Sequence, residues 1–384
     1  MNASYIVVLG STESLALAEL SAFFPSIIPL KLSDSAILFR NAAFDPKDIQ
    51  KIAGGVVKIG EVVSEVDEIH PQILADILLS RNKDASTIVF GISRFDGKPV
   101  STELLHEVKD VIERQGKHCR YVISKSGELS SVVIQKQGVH EILITKGDAG
   151  FVIGITLMVQ DFESWGKRDY GRPFADPKSG MLPPKVARMA VNLGIGLEGT
   201  GKTILDPFCG MGTVLAEGLM RGCRVIGGDV SNQVVEKAQK NLDWLVTQYP
   251  TMTPDLYKVF VSDATHISNY LPADSIDAII TEPFMGTAAL GEKRITDGEK
   301  IRGIVKGLEK LYIGALRDWT RVLKSSGKVV IALPKYDVQG RTYFVKKVVD
   351  NCENFGYTSI VGPIEYSRPQ AVVKREFFVF KKHS

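Results

Sequence analysis

One segment of the sequence joins an acidic residue to a glycine-rich loop, between a predicted strand and a predicted helix. Asp206 follows the apolar run Lys202–Leu205, the loop Pro207-Phe208-Cys209-Gly210-Met211-Gly212-Thr213 comes next, and a helical pattern begins at Val214. Strand, glycine loop and helix is the arrangement with which a doubly wound sheet binds a charged small molecule on backbone N–H groups. A carboxylate beside such a loop repels a pyrophosphate and attracts a cation. The segment therefore favours a zwitterionic ligand with an ammonium group, such as S-adenosylmethionine, over a dinucleotide.

Acidic residues also follow the next two predicted strands. Asp229 ends the strand at Arg224–Gly227, and Asp263 comes after the strand at Lys258–Val261. An acid at the first position can accept hydrogen bonds from ribose hydroxyls, and one at the second can accept a hydrogen bond from the exocyclic amine of adenine. The alternatives are a helix cap for Asp229 and a simple turn for Asp263. The residues predicted to bind the cofactor are Asp206, Pro207, Cys209, Gly210, Gly212, Thr213, Asp229, Val230, Asp263 and Ala264.

A fourth segment, Thr281-Glu282-Pro283-Phe284-Met285-Gly286, follows the strand at Ile276–Thr281. Active sites of doubly wound sheets lie at such strand ends. Glu282 and a carbonyl near Pro283 could accept the N–H groups of a nucleobase amine, and Phe284 could stack on a base removed from its helix. We therefore predict Glu282, Pro283 and Phe284 as catalytic residues. The alternative is a buried turn with Phe284 in the core, and residues 287–302 form either a mobile loop near the target or a solvated loop without function.

The elements that must position these residues alternate between strand and helix. From Pro183 onward the pattern repeats βα units, with helices predicted at 185–193, 232–245, 303–323 and 343–355, and it ends in two strands without a helix between them. This order predicts an α/β fold with a doubly wound parallel sheet and an antiparallel hairpin at its edge. Before residue 160 the pattern predicts two smaller α+β units, followed by a connector over 161–182.

Composition limits the class of protein. The chain has 384 residues, 24% of them charged, a formal net charge of +3 and four cysteines that are far apart in sequence. It contains no apolar run long enough for a transmembrane helix, and its start lacks the features of a signal peptide. The cysteines predict reduced thiols in a cytoplasmic protein, with no metal site. The mild basic charge permits nucleic-acid binding without demanding it.

Several motifs together resemble the tRNA guanine-N2 methyltransferases of the THUMP class, particularly the archaeal and eukaryotic guanine-10 enzymes. The glycine loop and Glu282-Pro283-Phe284 are similar to that family's cofactor and target-amine motifs. The connector carries Gly171-Arg172-Pro173, Ser179-Gly180 and Pro183-Pro184-Lys185, a run that precedes the methyltransferase domain in the family. The end, from Tyr366 to Phe380, is also similar. In one respect the sequence departs from the family, which has Asp-Pro-Pro followed by an aromatic residue, because Glu282 replaces the Asp and the second Pro is absent.

The resemblance implies a ferredoxin-like domain over 1–65, a THUMP RNA-binding domain over 66–160, a linker over 161–182 and a Rossmann-like methyltransferase domain over 183–384. It implies S-adenosylmethionine as cofactor, a contact from Ser179–Lys185 to its methionine part, tRNA as substrate and, as in some members, a small activator protein; we expect a monomer. Two alternatives stay open: an N6-adenine methyltransferase acting on RNA or DNA, and an RNA-binding module that retains cofactor affinity without catalysis. A dehydrogenase fits least, because of Asp206.

Overall fold

The computed structural model describes residues 3–125, 127–175, 181–286, 298–367 and 373–383. By their internal contacts the residues fall into two units. The first unit comprises residues up to Leu17 and Pro25–Glu163, and the second comprises Ala18–Phe24 and residues from Ser164 onward. Within the described residues, no helix is both long enough and apolar enough to cross a lipid bilayer.

The first unit is built on one eight-stranded mixed sheet. Its elements are β1 (Ala3–Leu9), the first part of α1 (Glu13–Phe23), β2 (Leu30–Lys31), β3 (Ala36–Ala42), α2 (Pro46–Ile52), β4 (Val56–Val66), α3 (Pro71–Arg81), β5 (Thr87–Arg94), α4 (Thr102–Arg114), β6 (His118–Val122), α5 (Ser131–Gln137), β7 (His140–Lys146) and β8 (Phe151–Val159). The strand order is β2-β3-β1-β4-β8-β7-β5-β6. Antiparallel pairing of β4 with β8 makes the two predicted α+β halves continuous, and the predicted boundary at residue 65 falls inside β4. That boundary stays a prediction.

A buried ion pair connects strands β4 and β7 in the middle of this sheet. Lys58 on β4 donates from Nζ to Glu141 on β7 over 2.6 Å, and the two side chains are 2% and 0% exposed. Thr156 on β8 donates to the other carboxylate oxygen over 2.6 Å. Breaking such a buried pair by removing one partner typically costs about 3–5 kcal/mol, because the other charge stays buried. The pair therefore fixes the register of β4, β7 and β8.

Two helices differ from the pattern expected from sequence. Helix α3 was not predicted, because its apolar residues surround the helix instead of forming one stripe; Leu74, Ala75 and Leu78 lie in the core. The predicted connector begins with a helix, α6 (Phe162–Tyr170). Its polar composition and glycine content hid the helical pattern.

The second unit has the doubly wound sheet that the sequence predicts. Its further elements are α7 (Pro184–Ile195), β9 (Thr203–Asp206), α8 (Thr213–Met220), β10 (Arg224–Asp229), α9 (Asn232–Gln248), β11 (Tyr257–Val261), β12 (Ile276–Thr281), α10 (Gly298–Trp319), β13 (Leu323–Val338), β14 (Arg341–Phe344), α11 (Lys346–Asp350), β15 (Tyr357–Tyr366) and β16 (Val373–Lys382). The order β11-β10-β9-β12-β13-β16-β15 is parallel from β11 to β13 and antiparallel from β13 onward. Sequence order reverses at β9, which pairs with both β10 and β12. This reversal is the switch point where ligands bind in such sheets.

One predicted helix of the second unit is wrong. Residues 343–355 form the end of β14, the short α11 and a 3₁₀ turn at Cys352–Phe355 instead of one helix. Asn351 and the residues around it interrupt the helix, since asparagine competes for backbone hydrogen bonds and favours turns; the Asn351 side chain donates to the Lys347 carbonyl. The C-terminal antiparallel hairpin β15–β16 is confirmed.

Gly218 on α8 sets how closely this helix approaches the sheet. A Cβ atom there would lie 2.4 Å from Ile204 Cδ1 and 2.9 Å from Val225 Cγ1. We expect Gly218→Ala to lower the free energy of unfolding by about 1–3 kcal/mol, because overpacking outweighs the better helix propensity of alanine. Gly307→Ala is the matched control, since its Cβ would meet nothing within 4 Å on α10, and it should raise stability by up to about 1 kcal/mol. Urea denaturation of both variants measures the contrast, and equal effects would contradict it.

Candidate active site

Four acidic residues lie at the carboxyl ends of neighbouring parallel strands. Asp206 ends β9 and Asp229 ends β10, while Asp263 follows β11 and Glu282 follows β12. Since β11, β10, β9 and β12 are adjacent in this order, their carboxyl ends form one edge of the sheet. The structure therefore brings the four predicted acids to one edge of the sheet.

The glycine loop between β9 and α8 turns sharply. Gly210 and Gly212 have φ values of 52° and 82°, a left-handed conformation that favours glycine. The loop is fixed to β10, because the N–H of Cys209 donates to the Gly228 carbonyl over 2.9 Å. Pro207 and Cys209 are buried, and burial raises the pKa of the Cys209 thiol well above its usual value. Cys209 is thus a packing residue of the loop and not a nucleophile.

Asp206 is buried beneath this loop, with 2% of its surface exposed. Its Oδ1 accepts hydrogen bonds from the Thr281 hydroxyl at 2.7 Å and from the Phe208 N–H at 3.1 Å. Burial, with smaller contributions from the charges of Asp229 and Glu282, raises its pKa to about 7, although the two hydrogen bonds act to lower it. A cation bound here would favour the ionised form.

Asp229 and Val230 form the next part of the edge. The two carboxylate oxygens of Asp229 accept from the N–H of Gly210 at 3.2 Å and from the N–H of Ser231 at 3.0 Å. Asp229 therefore joins the glycine loop to the start of α9, and Ser231 takes the N-cap position of that helix. Val230 is 78% exposed, so an apolar surface is open beside the carboxylate.

Asp263 lies in a turn, which is the alternative to adenine binding that the sequence offers for this residue. It caps a 3₁₀ turn at Ala264–Asn269 and accepts from the N–H and hydroxyl of Thr265 at 2.8 and 2.7 Å. These bonds lower its pKa, so the carboxylate is ionised at neutral pH. Ala264 is buried, and its carbonyl accepts from the Trp319 indole at 2.9 Å. A contact from Asp263 to adenine stays a prediction.

The segment after β12 presents one aromatic side chain outward. Phe284 is 48% exposed, whereas Met285 is only 6% exposed, so the alternative with Phe284 in the core is wrong. The Tyr312 hydroxyl on α10 donates to the Phe284 carbonyl at 2.5 Å. Glu282 forms an ion pair with Arg375 of β16. Of the predicted loop at 287–302, residues 287–297 lie outside the described residues and residues 298–302 begin α10.

Several residues that support the site could not be recognised as functional residues from the sequence. Arg172 of the connector donates to the Thr213 hydroxyl at 2.8 Å. Asn241 on α9 accepts from the Phe174 N–H at 2.9 Å and donates to the Met211 carbonyl at 2.9 Å. The connector therefore braces the glycine loop, and the only sequence signal for this was the Gly-Arg-Pro run.

The bond between Arg172 and Thr213 should contribute to cofactor affinity. We expect Arg172→Met to weaken cofactor binding by about 3–10-fold, because an intramolecular hydrogen bond contributes about 0.5–1.5 kcal/mol and the buried Thr213 hydroxyl loses its partner. Thr213→Val should have a similar effect and should not add to it in the double variant. Cofactor titration by calorimetry measures all three. Full additivity would contradict the proposed coupling, and Arg114→Met on α4 is the control.

Comparison with known proteins agrees with this geometry. A family described as "RMKL-like, methyltransferase domain" matches residues 171–358. This part of the chain is a methyltransferase domain. A tRNA (guanine(10)-N2)-dimethyltransferase of Pyrococcus abyssi is 25% identical over 386 residues, which is 98% of this chain and 99% of that protein. A protein of the same name from Methanothermobacter thermautotrophicus is 36% identical over 187 residues, 48% of each chain.

Solved structures support the fold of this methyltransferase. TrmN from Thermus thermophilus superposes with a TM-score of 0.54 at 16% identity, covering 99% of both chains. A possible methylase from Clostridium difficile 630 gives a TM-score of 0.50 at 13% identity, covering 100% of this chain and 98% of that one. At these identities the similarity shows the fold alone. The α/β methyltransferase fold predicted from the sequence is confirmed.

Proposed function

We propose that this protein is an S-adenosylmethionine-dependent methyltransferase that modifies the exocyclic N2 amine of a guanosine in tRNA, at position 10. The observation that carries the proposal is that Thr281, the residue before Glu282, donates from its hydroxyl to Asp206 over 2.7 Å. A cation site at the end of β9 and an acceptor for an amine after β12 thus lie on adjacent strands. The named relatives support the substrate and the position, since both are called tRNA (guanine(10)-N2)-dimethyltransferases.

The residues at the switch point fit the cofactor. Asp206 and the loop N–H groups suit the ammonium and carboxylate of its methionine part, Asp229 suits the ribose hydroxyls, and the exposed face of Val230 suits the adenine ring. Asp263 and Ala264 complete the adenine side. The raised pKa of Asp206, about 7, is a perturbation of the kind that clusters at functional sites, and a bound cation would lower it. When bound, S-adenosylmethionine supplies an electrophilic methyl group.

The chain's own residues hold and orient the target. Glu282 accepts one N–H of the guanine amine, and the carbonyl of Pro283 accepts the other. This arrangement turns the lone pair of the nitrogen away from the protein and towards the methyl donor. Phe284, exposed beside them, stacks on the base. Glu282 also takes the proton that leaves the amine as the new carbon–nitrogen bond forms. Orientation supplies most of the rate enhancement.

The N-terminal unit contributes substrate binding in this proposal. Residues 1–65 correspond to the ferredoxin-like domain and residues 66–160 to the THUMP domain, which bind tRNA. The enzyme works as a monomer in the cytoplasm, with a small activator protein as a partner to be tested. Gel filtration of the purified chain, alone and with tRNA, measures the stoichiometry.

Methyl transfer to bulk tRNA tests the function directly. Purified protein is incubated with methyl-labelled cofactor and unmodified tRNA, which is then digested to nucleosides. Label in N2-methylguanosine or N2,N2-dimethylguanosine supports the proposal, and mapping the modified nucleotide tests position 10. Label in N6-methyladenosine would establish the adenine alternative instead. Binding of cofactor and tRNA without any transfer would establish the non-catalytic RNA-binding module.

A further inference from the structure

Arg375 reaches Glu282 from two strands away in the sheet. Arg375 lies on β16 opposite Pro334 of β13, and β13 separates β16 from β12. The guanidinium crosses over β13, and its Nε donates to Oε1 of Glu282. The side chains of Arg375 and Glu282 are 8% and 18% exposed. Separating a charged pair that is shielded from water would leave a buried charge without its partner. The two side chains are therefore held firmly together.

Glu282 needs such a support more than aspartate would. A glutamate has one more rotatable bond than an aspartate, and fixing this freedom costs rotamer entropy. Its carboxylate must nevertheless sit at one place beside Asp206, whose pKa is raised in part by the Glu282 charge. An arginine donor that fixes the carboxylate removes this freedom before substrate binds.

The rest of the segment is fixed in a similar way. The Tyr312 hydroxyl donates to the Phe284 carbonyl at 2.5 Å, and the Tyr336 hydroxyl of β13 donates to the Met285 carbonyl. Tyr312 and Tyr336 are 1% and 0% exposed. Hydrogen bonds from buried tyrosines thus restrain the backbone where the resembling family has a second proline, whose ring would limit φ.

We propose that Arg375 is a positioning residue that holds the Glu282 carboxylate in place to receive the target amine, and that this pair compensates for the longer acid. The inference rests on the proposed function, because it assigns Glu282 as the acceptor of the amine. Arg375 itself does not contact the substrate. Replacing Arg375 should therefore lower turnover, and it should do so only by changing the position of the Glu282 carboxylate.

The test compares Arg375→Gln, Arg375→Lys and a matched control. Arg375→Gln should lower kcat for tRNA methylation by about 10–100-fold and change cofactor affinity by less than about twofold, because the cofactor residues do not depend on this pair. Arg375→Lys, which keeps the charge, should recover at least about fivefold of the loss. Lys374→Gln is the control: it removes a neighbouring cation of β16 that pairs with Asp337 and Glu365, and kcat should stay within about twofold.

A double variant separates positioning from general stability. In a Glu282→Gln background, Arg375→Gln should change single-turnover rate by less than about twofold, because its target carboxylate is already absent. A further tenfold loss there, or an equal loss of kcat and cofactor affinity in Arg375→Gln, would overturn the inference. So would wild-type kcat in Arg375→Gln. If the wild type itself transfers no methyl group to guanosine, the proposed function fails instead, which is a distinct result.

Discussion

Replacing Glu282 by glutamine should lower kcat for methylation of tRNA by about 100-fold or more and leave cofactor affinity within about threefold. The amide keeps the size of the side chain but loses the negative charge that accepts the amine N–H and its proton. Loss of a positioned acid–base group typically costs 10²–10⁴-fold in rate. Cofactor binding should persist, because Asp206, Asp229 and the glycine loop remain. Steady-state kinetics with tRNA and calorimetric cofactor titration measure the two quantities.

Glu376→Gln is the control for this change, because it makes the same substitution on β16. Glu376 forms an ion pair with Lys335 at 3.1 Å and has no place at the switch point. Its turnover should stay near that of the wild type. If Glu282→Gln kept kcat within about threefold of the wild type, Glu282 would not be the acceptor. If Glu282→Gln lost cofactor affinity as strongly as turnover, it would belong to the cofactor site instead.

The sequence predicts the chemistry-bearing segments well because each is encoded locally. A short apolar strand, an acid and a turn occupy fewer than ten residues, so Asp206, Asp229 and Glu282 could be placed at strand ends without knowledge of the fold. Adjacency then follows from the topology of a doubly wound sheet, which the alternation of strand and helix indicates. The edge of β11, β10, β9 and β12 is the result.

Residues that reach the site from distant parts of the sequence could not be identified from a local sequence pattern. Arg375 follows Glu282 by 93 positions, and only the order β12-β13-β16 brings the two together. Tyr312 and Tyr336 likewise reach the Phe284–Met285 segment from α10 and β13. From the sequence alone, such residues can be recognised only as aromatic residues of the core or as charged residues of a strand. Their role becomes visible once strand order and register are known.

The state of Asp206 gives a prediction that couples stability to function. Its pKa in the folded protein is about 7, against 3.8 for an ordinary aspartate, so the folded state binds the proton more tightly than the unfolded state does. Between these two values the free energy of unfolding therefore falls as pH rises, by up to about 1.4 kcal/mol per pH unit from this group. Asp206→Asn removes this titration, while its Oδ1 can still accept from Thr281 and Phe208. Without cofactor the variant should be more stable than the wild type at pH 8, and by less at pH 5.

Thermal and urea denaturation at pH 5 and pH 8 measure this difference, and cofactor titration measures the functional cost. Affinity should fall by about tenfold or more, because the asparagine no longer offers a charge to the ammonium group. Asp337→Asn is a control of opposite sign: hydrogen bonds from Thr342 and Lys374 lower the pKa of Asp337 below 3.8, so its replacement should reduce stability at neutral pH, and by less as the pH falls below 3.8. A stability difference between Asp206→Asn and the wild type that stays constant from pH 5 to 8 would mean that ionised Asp206 carries no cost. The expected result, a variant that folds better and binds the cofactor worse, would show that burial of this carboxylate is retained for binding at the expense of stability.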